Sequence, residues 1–404
     1  MKPEYIKRFE KMGLGLFVHF GLYSLLQKGE WYYSILVTDK DRQDYFSLIN
    51  KFKVSRSWAK DVCLTAKKFG AKYICLTTRH HEGFSLFDTR GLSDFDIMHS
   101  PTGRDIVKEF VEECRKNDIV PFFYHTLLDW HQKDFNENFS KYIDYLVESV
   151  EILCKNYGKI GGFWFDGFWS KPQENWQFGR LYGMIRKYQP EAMIIDNTGL
   201  EQRGKVDHYE IDSVTYERGV PLRASSEDGK ERAGEVSQSL TDHWGNAIQD
   251  VHYMDVQSLI NLLVECRYNR CNLIINGGIN KNGTIKVMDK AILETAGIWI
   301  KKHEHIIRDC EPAEIDAENA LIFKDEKYYY AVIKNVPLIA TLNVVEAQAL
   351  PYIVIHTDKK IVEACCYDNK QTKIKVNNKN KSFQMPAFPY GVSLCTRVVR
   401  FKLK

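Results

Sequence analysis

The sequence predicts an α/β fold: a TIM-type (β/α)8-like barrel with one irregular stretch, followed by a C-terminal antiparallel β-sandwich. Three observations carry this expectation. From residue 14 to about 305, short apolar runs alternate with longer amphipathic segments, the pattern of strands and helices wound into a parallel sheet or barrel. Each apolar run leads directly into hydrogen-bonding side chains, as expected where strand carboxyl ends form the working face of a barrel. After about residue 311 the texture changes to short β-type runs separated by charged or Asn/Lys-rich turns, which reads as a sandwich. The expected division is residues 1–310 for the barrel and 311–404 for the sandwich.

In chain order, the strand candidates of the first part are Leu14–Phe20, Lys72–Thr78, Val120–Thr126, Gly161–Asp166, Ala192–Asn197 and Asn272–Asn276. Helix candidates lie between them. Ser57–Phe69 carries Trp58, Val62, Cys63, Ala66 and Phe69 on one stripe, with Gly70 in the stopping position. Thr102 followed by Asp105 resembles a capping box opening an Ile106–Lys116 helix. Phe139–Tyr157, Asn175–Tyr188, Val256–Arg267 and Val287–Ile307 continue the series. Closure to eight strands is an extrapolation, because Glu201–Ala247 is polar, glycine-bearing and poorly periodic, and reads as loop carrying irregular strands. In the last part the strand candidates are Ala320–Phe323, Tyr328–Ile333, Thr341–Val345, Ile353–His356 and Val392–Arg397, with a turn at Asn377–Lys381.

Composition narrows the partners. A formal net charge of +3 is small beside 56 basic and 53 acidic residues, so nothing suggests a nucleic-acid or anionic-membrane partner. The aromatic content of 13% is more telling, since Trp and Tyr faces stack on the apolar faces of sugars. The opening MKPEYIKRFEKMG mixes charge where a secretory signal needs an apolar core, and no later run is long enough to span a bilayer, so a cytoplasmic protein is expected. Ten cysteines lack metal-type spacing, and most read as small buried hydrophobes; Cys310 and Cys395, with the adjacent pair Cys365 and Cys366, make a disulfide framework unexpected. The sequence leaves homo-oligomerisation open.

Polar groups collect at the strand ends: His19 on the first, Arg79-His80-His81-Glu82 on the second, Tyr124-His125 on the third, Asp166 on the fourth, Asp196-Asn197 on the fifth. Asp166 stands out, because Gly161–Phe165 is an apolar strand and Gly167 lets the chain turn immediately after the acid. Taken alone, Asp166 also suits a turn cap, and His19 a satisfied core histidine. His80 and His81 point opposite ways if the chain stays extended, so both face one ligand only where the strand has ended. Glu30 and Trp31 set a carboxylate beside an indole in the loop after the first strand. The spacings of zinc sites are missing, so no metal and no cofactor is expected.

These residues resemble the α-L-fucosidases of glycoside hydrolase family 29. GLGLFVHFGLYS followed by GEWY is similar to that family's N-terminal signature, AKYICLTTRHHEGFSLFDT to its second-strand block, and WFDG to its nucleophile strand. IIDNTGL, IDSVTYERG, DHWGNA and CNLIINGG followed by KNGTI fall in family order, so the resemblance covers about residues 5 to 310. It implies a retaining exo-glycosidase acting on terminal α-L-fucosides of oligosaccharides or glycosides, with Asp166 as nucleophile. It also implies that His19, Glu30, Trp31, His80, His81, Tyr124 and Trp164 line the fucose pocket. For the acid/base, Glu217 in IDSVTYERG matches best and Glu235 in GEVSQSL competes. The tryptophan usual before the latter is Gly234 here. Arg203 and Arg223 are candidates for a basic residue that some relatives place after the fifth strand. A catalytically silent fucose-binding barrel, a glycosidase of related sugar specificity and a metal-dependent hydrolase are the alternatives.

Overall fold

Eight parallel strands close into a barrel in strict chain order: β1 Leu14–Val18, β2 Tyr73–Arg79, β3 Val120–Thr126, β4 Gly162–Asp166, β5 Met193–Asn197, β6 Ser213–Glu217, β7 Ala233–Ser239 and β8 Cys271–Asn276. The last pairs with the first, Leu14 opposite Leu273 and Phe17 opposite Asn276. The computed structural model describes residues 2–224, 228–334, 338–341, 344–347, 352–368, 372–385 and 396–404. The expected strand Val392–Arg397 therefore lies mostly outside the described residues, as does Cys395.

The six strands expected from apolar runs are present, Val120–Thr126 with the expected bounds and the others with ends moved by at most two residues. The two that hydropathy did not mark, β6 and β7, lie inside Glu201–Ala247. Their polar residues are buried: Ser213, Thr215, Glu235 and Ser237 are all within the protein. Glu235 accepts a hydrogen bond from Trp164 Nε1 at 2.9 Å and another from the Tyr73 hydroxyl. A barrel interior can satisfy polar side chains across its width, and such strands lose the apolar signature that sequence reading depends on.

Strand pleating sorts the rest. Phe17, Tyr73, Phe122, Tyr124, Trp164, Met193 and Ile274 share the interior cluster. Phe123 and His125, one residue out of phase, turn to the helical layer, with Phe123 against Tyr157 and His125 Nε2 2.8 Å from Ser149 Oγ. The N-terminal segment is a helix, Glu4–Met12, whose Ile6 and Phe9 join the interior cluster near the strands' amino ends. Phe9 lies 5.4 Å from Tyr73 between ring centres, and its carbonyl accepts from Asn272 Nδ2 at 2.7 Å.

Helix boundaries follow local chemistry. Trp58–Phe69 stops at Gly70, whose φ of 90° turns its N–H back to Ala66 O at 3.0 Å. Helix Ile106–Lys116 is capped by Asp105 itself, which accepts from Lys108 N at 2.9 Å. The expected capping box with Thr102 does not form, because the Thr102 hydroxyl donates to Phe52 O and accepts from Val54 N instead. Val287–Ile307 is two helices, Val287–Lys302 and Glu304–Arg308, parted at His303, whose Nδ1 lies 2.8 Å from Trp299 O.

The chain divides into two compact units, Met1–Met254 with Cys271–Glu294, and Asp255–Arg270 with Thr295–Lys404. The helix Val256–Tyr268 thus groups with the C-terminal sheets, although the alternation along the sequence counts it with the barrel. In the second unit a five-stranded antiparallel sheet runs Ile361–Cys366, Arg397–Leu403, Tyr329–Ile333, Leu321–Lys324, Glu311–Pro312. A four-stranded sheet runs Ala317–Glu318, Ile353–Ile355, Ser382–Phe383, Val376–Asn377. Ile322, Ala331, Val399 and Phe401 from the first meet Ile353, Ile355 and Phe383 from the second in one core. The expected strand Thr341–Val345 instead spans the ends of a paired Leu338–Thr341 and Val344–Ala347.

Candidate active site

Register in the barrel sets the site. Tyr124 lies opposite Trp164, Thr126 opposite Asp166, and Asp166 opposite Asn197, so the ends of β3, β4 and β5 bring their side chains to one level. Gly167 follows at a φ of 106°, and a Cβ there would fall 2.6 Å from Leu128 N, so the turn that presents Asp166 requires glycine.

The Asp166 carboxylate has polar partners on four sides. Oδ2 takes the Tyr124 hydroxyl at 3.0 Å and faces His81 Nε2 at 3.4 Å. Oδ1 takes Trp169 Nε1 at 3.1 Å and Asn197 Nδ2 at 3.2 Å. The Thr126 hydroxyl donates to Leu128 O, so it accepts from His81 Nδ1 at 2.7 Å, leaving the other ring nitrogen toward Asp166. The same Asn197 nitrogen donates to Glu217 Oε2 at 2.7 Å. Asn197 is itself oriented by Thr215 Oγ1, which donates to its Oδ1 at 3.2 Å.

These contacts separate the two acids. Burial works to raise the Asp166 carboxyl, but the His81, Trp169 and Tyr124 contacts outweigh it, and the group is held below the usual aspartate value. Glu217 goes the other way: burial first, then the charge of Asp166, raise it above the usual glutamate value, against opposing contacts from Asn197, Arg218 and Trp244. One carboxyl held low beside another held high is the arrangement that suits general acid catalysis paired with a nucleophile. Burial drives His19 down to about 3 and His80 well below the ordinary histidine value, so both meet a ligand as neutral rings.

A cavity of about 550 Å³ opens over this cluster, lined by His19, Trp31, His80, His81, Tyr124, Trp164, Asp166 and Glu217 among others. His80 and His81 both reach it because β2 ends at Arg79, with a register shift after Thr77, and their rings lie 4.3 Å apart. Two expected residues do not line it. Glu30 is buried with its carboxylate accepting from Gly245 N at 2.8 Å, behind the turn that carries Trp244. Glu235 lies in the barrel interior, fully buried between Tyr73 and Trp164, so the structure brings Glu217 and not Glu235 to Asp166.

Other rim residues turn away. Arg79 and His125 face the helical layer, where both reach Ser149, and Glu82 anchors the loop after β1 through Leu22 N, Tyr23 N and the Tyr45 hydroxyl. Arg203 donates to the Glu217 carbonyl, while Arg223 is exposed. Sequence reading missed Trp169 and Trp244 as cavity residues and the bridging role of Asn197. Trp169 sits three residues beyond Asp166 on a short 3-10 turn, a spacing that offered the one available signal. At Gly234, where the family resemblance leads one to expect tryptophan, a Cβ would lie 2.7 Å from Cys271 Sγ, so the cysteine occupies the space a side chain needs. Among the described residues, the His/Cys/Asp/Glu group close enough to share a cation is His305, Cys310 and Asp325, none of which lines the cavity.

The comparisons with known proteins agree with this geometry. The family model described as Alpha-L-fucosidase matches residues 2–305. The plasma alpha-L-fucosidase of Rattus norvegicus is 25% identical over 330 residues, covering 72% of this chain and 68% of that protein. The plasma alpha-L-fucosidase of Homo sapiens is 26% identical over 322 residues, covering 72% and 67%, so the chain spans about two thirds of these relatives. Among solved structures, alpha-L-fucosidase isoenzyme 1 from Paenibacillus thiaminolyticus superposes with a TM-score of 0.82 at 26% identity over 99% of both chains. An alpha-L-fucosidase from Bacteroides thetaiotaomicron, trapped as a covalent intermediate with 2-fluoro-fucosyl fluoride, shares the fold with a TM-score of 0.78 at 19% identity, covering 100% of this chain and 97% of that one. Family match, barrel and paired carboxyl groups converge: the chain belongs to the alpha-L-fucosidase family of glycoside hydrolases.

Proposed function

We propose that this protein is a retaining exo-glycosidase that hydrolyses terminal α-L-fucosides by double displacement, with Asp166 as nucleophile and Glu217 as acid/base. The observation that carries the mechanism is the shared donor. Asn197 Nδ2 lies 3.2 Å from Asp166 Oδ1 and 2.7 Å from Glu217 Oε2. Those two oxygens are therefore within ~6 Å of each other, near the roughly 5–5.5 Å of retaining glycosidases and short of the roughly 6.5–9.5 Å that inverting enzymes keep for a water.

In the first step an Asp166 oxygen bonds to the anomeric carbon as the bond to the leaving oxygen breaks, and Glu217 gives that oxygen its proton. In the second step Glu217, now a carboxylate, takes a proton from water. The water oxygen bonds to the anomeric carbon, the ester to Asp166 breaks, and fucose leaves with its original anomeric configuration. Neutral His19 and His80, with His81, supply hydrogen-bonding partners for hydroxyls, and the Trp31, Trp164 and Trp169 rings an apolar wall for the methyl group of a deoxy sugar. A contact with one methyl is worth only about 1–3 kcal/mol, so discrimination rests mainly on the polar set.

Incubation with a 2-fluoro-fucosyl fluoride followed by digestion tests the reading: the label is expected on the peptide containing Asp166, and proton NMR is expected to show the α-anomer as first product. A label elsewhere, or the β-anomer first, ends the double-displacement scheme. Fucose binding without turnover of any aryl fucoside identifies a silent binding barrel instead.

A further inference from the structure

We propose that Glu235 is a positioning residue for this site, a brace across the barrel interior that holds the Trp164 floor and, through it, the hydroxyl that Tyr124 gives to Asp166. The inference rests on the fucosidase reading above and deepens it. It also gives a role to a buried carboxyl that the two-step chemistry does not use.

Glu235 sits on β7, yet neither of its side-chain partners is on a neighbouring strand. Trp164 on β4 donates its Nε1–H to Oε1 at 2.9 Å, and Tyr73 on β2 donates its hydroxyl to Oε2. The Tyr73 ring crosses β1 to get there, and Gly15 makes the room: a Cβ at that position would lie 2.4 Å from the Tyr73 Cζ. One carboxyl thus ties the opposite walls together below the cavity. The indole it holds lines the cavity and stacks on Tyr124, with ring centres 5.8 Å apart and planes at 19°, and the Tyr124 hydroxyl donates to Asp166 Oδ2. An indole has only one polar hydrogen, so its acceptor determines the tilt of the whole ring. With the acceptor removed, Trp164 retains its packing and loses its orientation, and the stacked tyrosine moves with it.

The family resemblance offered Glu235 as a rival acid/base, and the two roles predict opposite results. Glu235→Gln keeps an oxygen acceptor for Trp164 and no acidic proton; Glu235→Leu removes both. With a nitrophenyl α-L-fucoside, Glu235→Gln is expected to keep kcat within about threefold of wild type, with an unchanged alkaline limb and no response to azide. Glu235→Leu is expected to raise KM on the order of tenfold or more and to lower kcat less, with Trp164→Phe reproducing the effect and adding little to it when the two are combined. Trp164→Phe also reads the same bond should Glu235→Leu fail to fold. Loss of 1000-fold or more in Glu235→Gln with recovery in azide makes Glu235 the acid/base and overturns the proposal, as do unaltered kinetics in both Trp164→Phe and folded Glu235→Leu. If the wild type turns over no aryl fucoside, the fucosidase reading fails separately; fucose affinity by tryptophan fluorescence then tests the brace, with Glu235→Leu and Trp164→Phe expected to bind more weakly than Glu235→Gln.

Discussion

Asn197 Nδ2 lies 2.7 Å from Glu217 Oε2, and the same nitrogen also serves Asp166, so one amide couples the two carboxyl groups. Its contact favours the charged form of Glu217, opposing burial and the Asp166 charge. Asn197→Ala removes that support, so Glu217 rises further and the alkaline limb of kcat/KM moves to higher pH. A kcat loss of about 10–100-fold is expected from the lost stabilisation, measured with an aryl fucoside across pH.

The wild-type profile of kcat/KM against pH is expected to be bell-shaped. The proposed mechanism requires Asp166 ionised and Glu217 protonated. It is lost as pH falls through the depressed Asp166 value and again as pH rises through the elevated Glu217 value. The two groups face each other through Asn197, so the limbs belong to the pair. Glu217→Ala should abolish the alkaline limb for a substrate with a good leaving group, while azide restores turnover by replacing water in the second step.

Trp169→Phe isolates one donor to Asp166. The indole N–H bonds Asp166 Oδ1 and helps hold that carboxyl low. Without it the acidic limb should move to higher pH. Melting temperature should change little, because Trp169 is 37% exposed and an aromatic ring remains at the position. A shift of the acidic limb in the opposite direction argues against this assignment.

Gly234→Ala tests the departure from the family pattern. The new Cβ meets Cys271 Sγ at 2.7 Å, a crowding expected to cost about 1–3 kcal/mol in thermal or denaturant unfolding. In a Cys271→Ala background the cost should fall below about 0.5 kcal/mol, since the clashing atom is gone. Equal costs in both backgrounds show that backbone freedom, and not the cysteine, accounts for the glycine.

Much of the barrel was legible because its first five strands and its last are apolar runs ending in polar groups. Asp166 was legible for the same reason, standing between WF and a glycine. β6 and β7 were hidden by buried polar residues, among them Glu235, whose partners Tyr73 and Trp164 lie across the barrel. Thr102 was read as a cap because spacing along the chain cannot show that Phe52 and Val54 claim its hydroxyl.

By itself, the sequence determined the class of fold and the nucleophile candidate, because these depend on periodicity and on residue order along one strand, and pointed to the family through the resemblance of several motif blocks in one order. Only the tertiary structure brought Glu217, and not Glu235, beside Asp166, set His80 and His81 on the same cavity, took Glu30 behind the Trp244 turn and made Asn197 the link between two acids. Each of those depends on distances between residues on different strands or loops, and strand register and side-chain direction, which determine them, come into being only when the barrel closes.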